Sequence, residues 1–181
     1  YSIDHWLRFC WDELQDQNHK LVSGLSVVGS QQGRYYWERA IAKDDSAHSN
    51  SYAKIAGDTL KTLQNWNLSA DLVPGDTPAV EYFKRWSASF EELLEKNKLI
   101  TQQSSWQLIE RGFQCSALPS ESEIMLYGFQ SMPPLQELVI NSASSSVQTI
   151  HSLVRNTQTY RLACPDPQSE LRMASSWAAQ Q

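Results

Sequence analysis

The chain has 181 residues, 41% hydrophobic and 19% charged, which is enough apolar material for a sizeable core and too much for a disordered polymer. A net charge of −5 excludes a broad polyanion-binding face, because non-specific affinity for nucleic acid comes from clustered Lys and Arg, and leaves room only for local contact. No apolar run approaches the roughly 18–20 residues that span a bilayer, so the sequence predicts a soluble protein with no membrane partner, and its few, widely spaced cysteines fit a reducing cytoplasm.

The absence of an initiating Met and the abrupt "SSWAAQQ" ending point to an internal piece of a longer polypeptide. Cys10, Cys115 and Cys164 are few, odd in number and far apart, which indicates neither a disulfide framework nor a zinc site. Seven Trp in this length point first to helix packing.

From Ser2 to about Asn18, Ile3, Trp6, Leu7, Cys10, Trp11 and Leu14 recur at steps of three and four, predicting an amphipathic helix capped by Ser2. The stretch "LVSGLSVVGS" reads as a connector to a second helix whose inner face is Tyr36, Trp37, Ala40 and Ile41. After a loop, "KDDSAHSNS", a third helix is expected over Ser51–Trp66 with Tyr52, Ile55, Ala56, Thr59, Leu63 and Trp66 turned inward. Thr77 before Pro78 is a start signal, cap and first helical position, for a fourth helix burying Tyr82 or Phe83, Trp86, Phe90, Leu93 and Leu94. A shorter helix over Ser105–Arg111 is expected to stop at Gly112.

The pattern changes after "ALPSES". "EIMLYGF" reads as a strand covered on both faces, and Pro133 and Pro134 open a helix carrying Leu135, Leu138, Val139 and Ala143. "VQTIHSL" and "YRLAC" look like two more strands, and a last helix places Leu171, Ala174 and Trp177 on one side. The predicted class is therefore α/β overall and predominantly α: a helical block of about five helices over residues 1–118, joined to an α/β unit with about three strands over 119–181.

Catalytic apparatus is missing from the sequence. There is no G-x-x-x-x-G-K-[ST] loop to cradle phosphates, no H-x-x-x-H or H-E-x-x-H pair, and no G-x-S-x-G elbow. Asp44 with Asp45 and Glu91 with Glu92 are adjacent in sequence, so they diverge on a helix and form no acid–base couple. What remains is a mixture of aromatic and cationic residues in "GRYYWER" and "KRW", where rings could stack on bases and guanidinium groups meet phosphates. Arg34, Lys84, Arg85 and Arg155 are the candidate phosphate- or base-contact residues, Arg161 standing beside the last of them. The competing reading makes the rings core and the charges their wet side.

In order along the chain, "SIDHWLRFCWDEL", "SQQGRYYWERAI", "YFKRWSASFEELLEKNKLI", "LYGFQSMPPLQELV" and "DPQSELRMASSWA" resemble the middle of a bacterial family described as probable DNA repair proteins, relatives of the AddB and RecB helicase–nuclease subunits. The resemblance implies that "EIMLYGF" belongs to a partial RecA-like unit, at the place where active helicases carry magnesium-binding acids. Gly128 and Phe129 stand there instead, marking a DNA path or a domain seam. It implies a noncatalytic helicase-like scaffold with no cofactor of its own. The parent protein would supply a PD-(D/E)XK nuclease domain with a divalent metal, and its partners would be DNA and a helicase–nuclease subunit. The alternative is a free-standing helical protein-interaction module that receives partner helices on aromatic-rich faces.

Overall fold

A computed structural model describes residues 2–44, 48–75, 77–129, 131–150 and 166–178. Two compact units divide the chain, residues 1–150 and 151–181. Of the sequence expectations, the strand at "YRLAC", Arg155 and Arg161 lie outside the described residues.

Helix α1 (Ile3–Asp16) starts as its sequence dictates: the Ser2 hydroxyl accepts from the His5 N–H, satisfying one of the orphan amides. Its inner stripe buries Leu7, Cys10, Trp11 and Leu14. The following connector is held by Gln15, whose Nε2 donates to the carbonyls of Val22 and Leu25, both at 3.1 Å. This connector also contains strand β1 (Ser26–Val27), too short for any periodicity to announce it.

Helix α2 (Ser30–Ala42) buries Tyr36, Trp37, Ala40 and Ile41, as expected. Helix α3 (Ser49–Asn65) differs from expectation in its face. Ala53, Ala56 and Leu60 are buried, whereas Tyr52, Ile55, Thr59 and Trp66 are exposed and Leu63 is half-buried. The cause is the neighbouring helix: a Cβ on Gly57 would sit 3.2 Å from Trp37 Nε1, so only small residues fit where α3 meets α2.

Helix α4 (Pro78–Lys96) follows a 3₁₀ turn at Ala70–Leu72 and uses Pro78 in its first turn, but Thr77 makes no side-chain capping bond. Ser87, Phe90 and Leu94 are buried, Phe83, Trp86 and Leu93 are half-buried, and Tyr82 is exposed. Strand β2 (Leu99–Ile100) pairs in parallel with β1.

Helix α5 (Gln102–Gln114) begins at Thr101, whose Oγ1 accepts from the Ser104 N–H. It does not stop at Gly112. That glycine is a packing position instead: a Cβ there would lie 3.2 Å from Leu14 and 3.3 Å from Leu118, so its absence lets α1 and the post-helix turn close on α5.

Strand β3 (Ile124–Tyr127), helix α6 (Pro134–Ala143) and strand β4 (Val147–Ile150) form a parallel strand–helix–strand unit, with Ile124 opposite Val147 and Tyr127 opposite Ile150. Ile124 packs against the core that contains Leu135 and Val139 of α6. Met125 and Tyr127 alternate outward and are 64% and 70% exposed, so among the described residues β3 is covered on one face, not two. Leu138, expected inside, is also exposed.

Two cores organise residues 1–150. One joins α1, α5 and α6 with Val22 and Leu118; the other joins α2, α3 and α4 with Ala70. The class is α/β in the broad sense and predominantly α, with two small parallel sheets. The expected junction near residue 118 falls beside Leu118, which is buried in the first core. In the second unit, helix α7 (Pro167–Ala178) is capped by Asp166, which accepts from the Ser169 N–H and hydroxyl, both at 2.8 Å; these bonds hold its carboxyl below the usual range. Leu171 of α7 is exposed. No described helix is long and apolar enough to cross a membrane.

Burial in the first core pushes the Cys10 thiol up to about 12, with the charge of Glu121 adding to the effect. Between its ordinary value of about 8.5 and about 12, the unfolded chain gives up this proton while the folded chain keeps it, so stability falls as pH rises through that window. Chemical denaturation from pH 8 to 11 is expected to show this alkaline loss, and Cys10→Ala to flatten it; an equal slope in the variant would contradict the assignment.

Candidate functional site

The two aromatic–cationic stretches fall on neighbouring helices of the second core. In "GRYYWER", Tyr36 and Trp37 are core residues, and Trp37 stacks on Phe90 with centroids 4.3 Å apart and planes 10° apart. Tyr35 faces outward, and its hydroxyl accepts from Arg39 Nη1 at 3.3 Å while the same guanidinium lies 5.7 Å from the ring centre. Arg34 is occupied by Glu38 at 3.0 Å and also bonds Asn50. For α2 the core reading of the aromatics therefore describes Tyr36 and Trp37, and the cations are engaged along the helix surface.

The "KRW" stretch behaves differently. Trp86 lies between Tyr82, at 5.5 Å and 28°, and Tyr52, at 5.7 Å and 29°, so three rings form one nearly parallel row across α4 and α3. Tyr82 and Tyr52 are 43% and 41% exposed. The row is fixed at its centre by Asp44, whose Oδ2 accepts from Trp86 Nε1 at 3.0 Å and meets Arg85 Nε at 3.3 Å. Arg85 in turn lies 4.9 Å over the Tyr82 ring. One carboxylate thus orients an indole and a guanidinium that covers the next ring. Lys84 is half-buried and, two positions from both Tyr82 and Trp86, lies on a different side of α4.

These rings form one wall of a groove of about 660 Å³, whose other walls include Ile55 of α3 and Val73 and Phe83. Of the stripe expected to face the core, Tyr52, Ile55 and Thr59 line this groove instead, while Ala56 borders the groove and is buried in the core as expected. Reading α3 and α4 separately missed Tyr52 and Asp44. The available signal was that α3 carries two adjacent apolar stripes, more than one buried face requires.

Gly128 and Phe129 sit apart from this row, at the exit of β3. Gly128 has φ +81° with open space around its Cα, the left-handed conformation that glycine adopts without a Cβ penalty, and Phe129 is half-buried. The structure does not gather the sequence candidates into one site: Arg34, Lys84 and Arg85 belong to helices of the second core, and Gly128 and Phe129 follow a strand packed on the first.

A second cavity, about 670 Å³ and of mixed polar and apolar lining, lies where β1 and β2 end and α2 and α5 begin. Asp4, His5 and Arg8 of α1 line it together with Ser30 and Gln102. Gly29, at the start of α2, supplies no side-chain cap. Among the described residues, no group of three His, Cys, Asp or Glu side chains is placed to hold a metal. Comparison with protein-family models, curated proteins and solved structures finds no match.

Proposed function

We propose that this chain is a noncatalytic, helicase-like scaffold from a relative of DNA-repair helicase–nucleases, one that positions single-stranded DNA for a nuclease domain elsewhere in the parent protein. The observation that carries this role is the Tyr82–Trp86–Tyr52 row with Arg85 above it: Trp86 is covered by its two neighbours, but the outer rings Tyr82 and Tyr52 are partly exposed, and because every base has a π-face, that ring surface holds a strand without reading its sequence. The parallel β3–α6–β4 unit supports the helicase-like part, as a portion of a RecA-like sheet whose strand exit at Gly128 and Phe129 serves as a seam rather than a magnesium site. The protein acts in the cytoplasm, and any divalent metal belongs to the parent's nuclease domain.

Because stacking supplies most of the affinity and Arg85 is the one cation among the described residues that an observed contact places on the row, the salt dependence is shallow. Fluorescence anisotropy with a fluorescein-labelled oligothymidylate is expected to give saturable binding at low salt, with log K falling against log salt at a slope of about −0.7, from one cation. Absence of binding even at low salt would remove direct DNA contact. A second reading, a helical protein-interaction module, is favoured by the apolar lining that Ile55, Val73 and Phe83 add to the groove. On that reading, the oligonucleotide fails at every salt concentration.

A further inference from the structure

We draw no further inference here: the strongest candidate, the cavity at the carboxyl ends of β1 and β2 beside Arg8, Ser30 and Gln102, rests on two helix N-termini with no independent observation of a ligand that they would hold.

Discussion

Trp37→Ala is expected to lower the unfolding free energy by about 3–5 kcal/mol, the range for removing a large buried aromatic side chain. The indole is 4% exposed, stacks on Phe90 at 4.3 Å, and lies 3.2 Å from where a Cβ on Gly57 of α3 would sit. Its loss leaves a void bordered by all three helices of the second core, and they cannot all collapse into it. Against a typical total stability of about 5–15 kcal/mol, such a loss unfolds a marginal domain. Urea denaturation should show a lower midpoint at an unchanged slope, and a loss under about 1 kcal/mol would mean that α2, α3 and α4 do not pack as described.

Leu14→Ala should cost about 2–5 kcal/mol, since Leu14 is fully buried at the contact of α1 with α5. The informative part of this prediction is its coupling to Gly112. Alone, Gly112→Ala trades a helix-propensity gain of about 1 kcal/mol against about 1–3 kcal/mol of overpacking on Leu14 and Leu118. With Leu14 already shortened, two of the three close atoms are gone and part of the void is filled, so the second substitution should restore stability. A double-mutant cycle measures this directly, and strict additivity would contradict the contact.

The same two glycines mark what was legible in the sequence and what was not. Ser2 and the α1 stripe could be read because a cap and a 3.6-residue period are local properties, and so could the inner face of α2. Gly112 was misread as a stop because a glycine that ends a helix and one that admits a neighbour look alike until the neighbour is placed. On α3 the larger aromatic and β-branched residues were assigned to the core, whereas Ala53, Ala56 and Leu60 form the buried face and Gly57 admits the close approach of Trp37. Strands β1 and β2 have two residues each and therefore no pattern to detect. Half of β3 was expected to be covered but faces outward, as Met125 and Tyr127 show.

For the candidate site, Lys84, Arg85 and Trp86 stood out as a stretch, but the row that Arg85 and Trp86 join is a product of tertiary packing. Asp44 and Tyr52 come from 42 and 34 positions earlier than Trp86, and no local rule connects them. The left-handed conformation at Gly128 is one that glycine adopts more readily than other residues, whereas the sequence marks that position only as a DNA path or a domain seam.

The role of the aromatic row is tested most directly by titrating a labelled oligothymidylate at low salt with the unaltered protein, Trp86→Ala and Trp86→Phe, with thermal unfolding of each as a check on folding. Trp86 holds the exposed Tyr82 and Tyr52 rings in place, and stacking of one base on such a ring is worth about 1–3 kcal/mol, so Trp86→Ala is predicted to weaken binding about 5- to 150-fold by releasing them, while Trp86→Phe, which keeps a ring between them, retains most of it. Equal affinity of the folded Trp86→Ala variant and the unaltered protein would contradict the assignment of this row to a single strand.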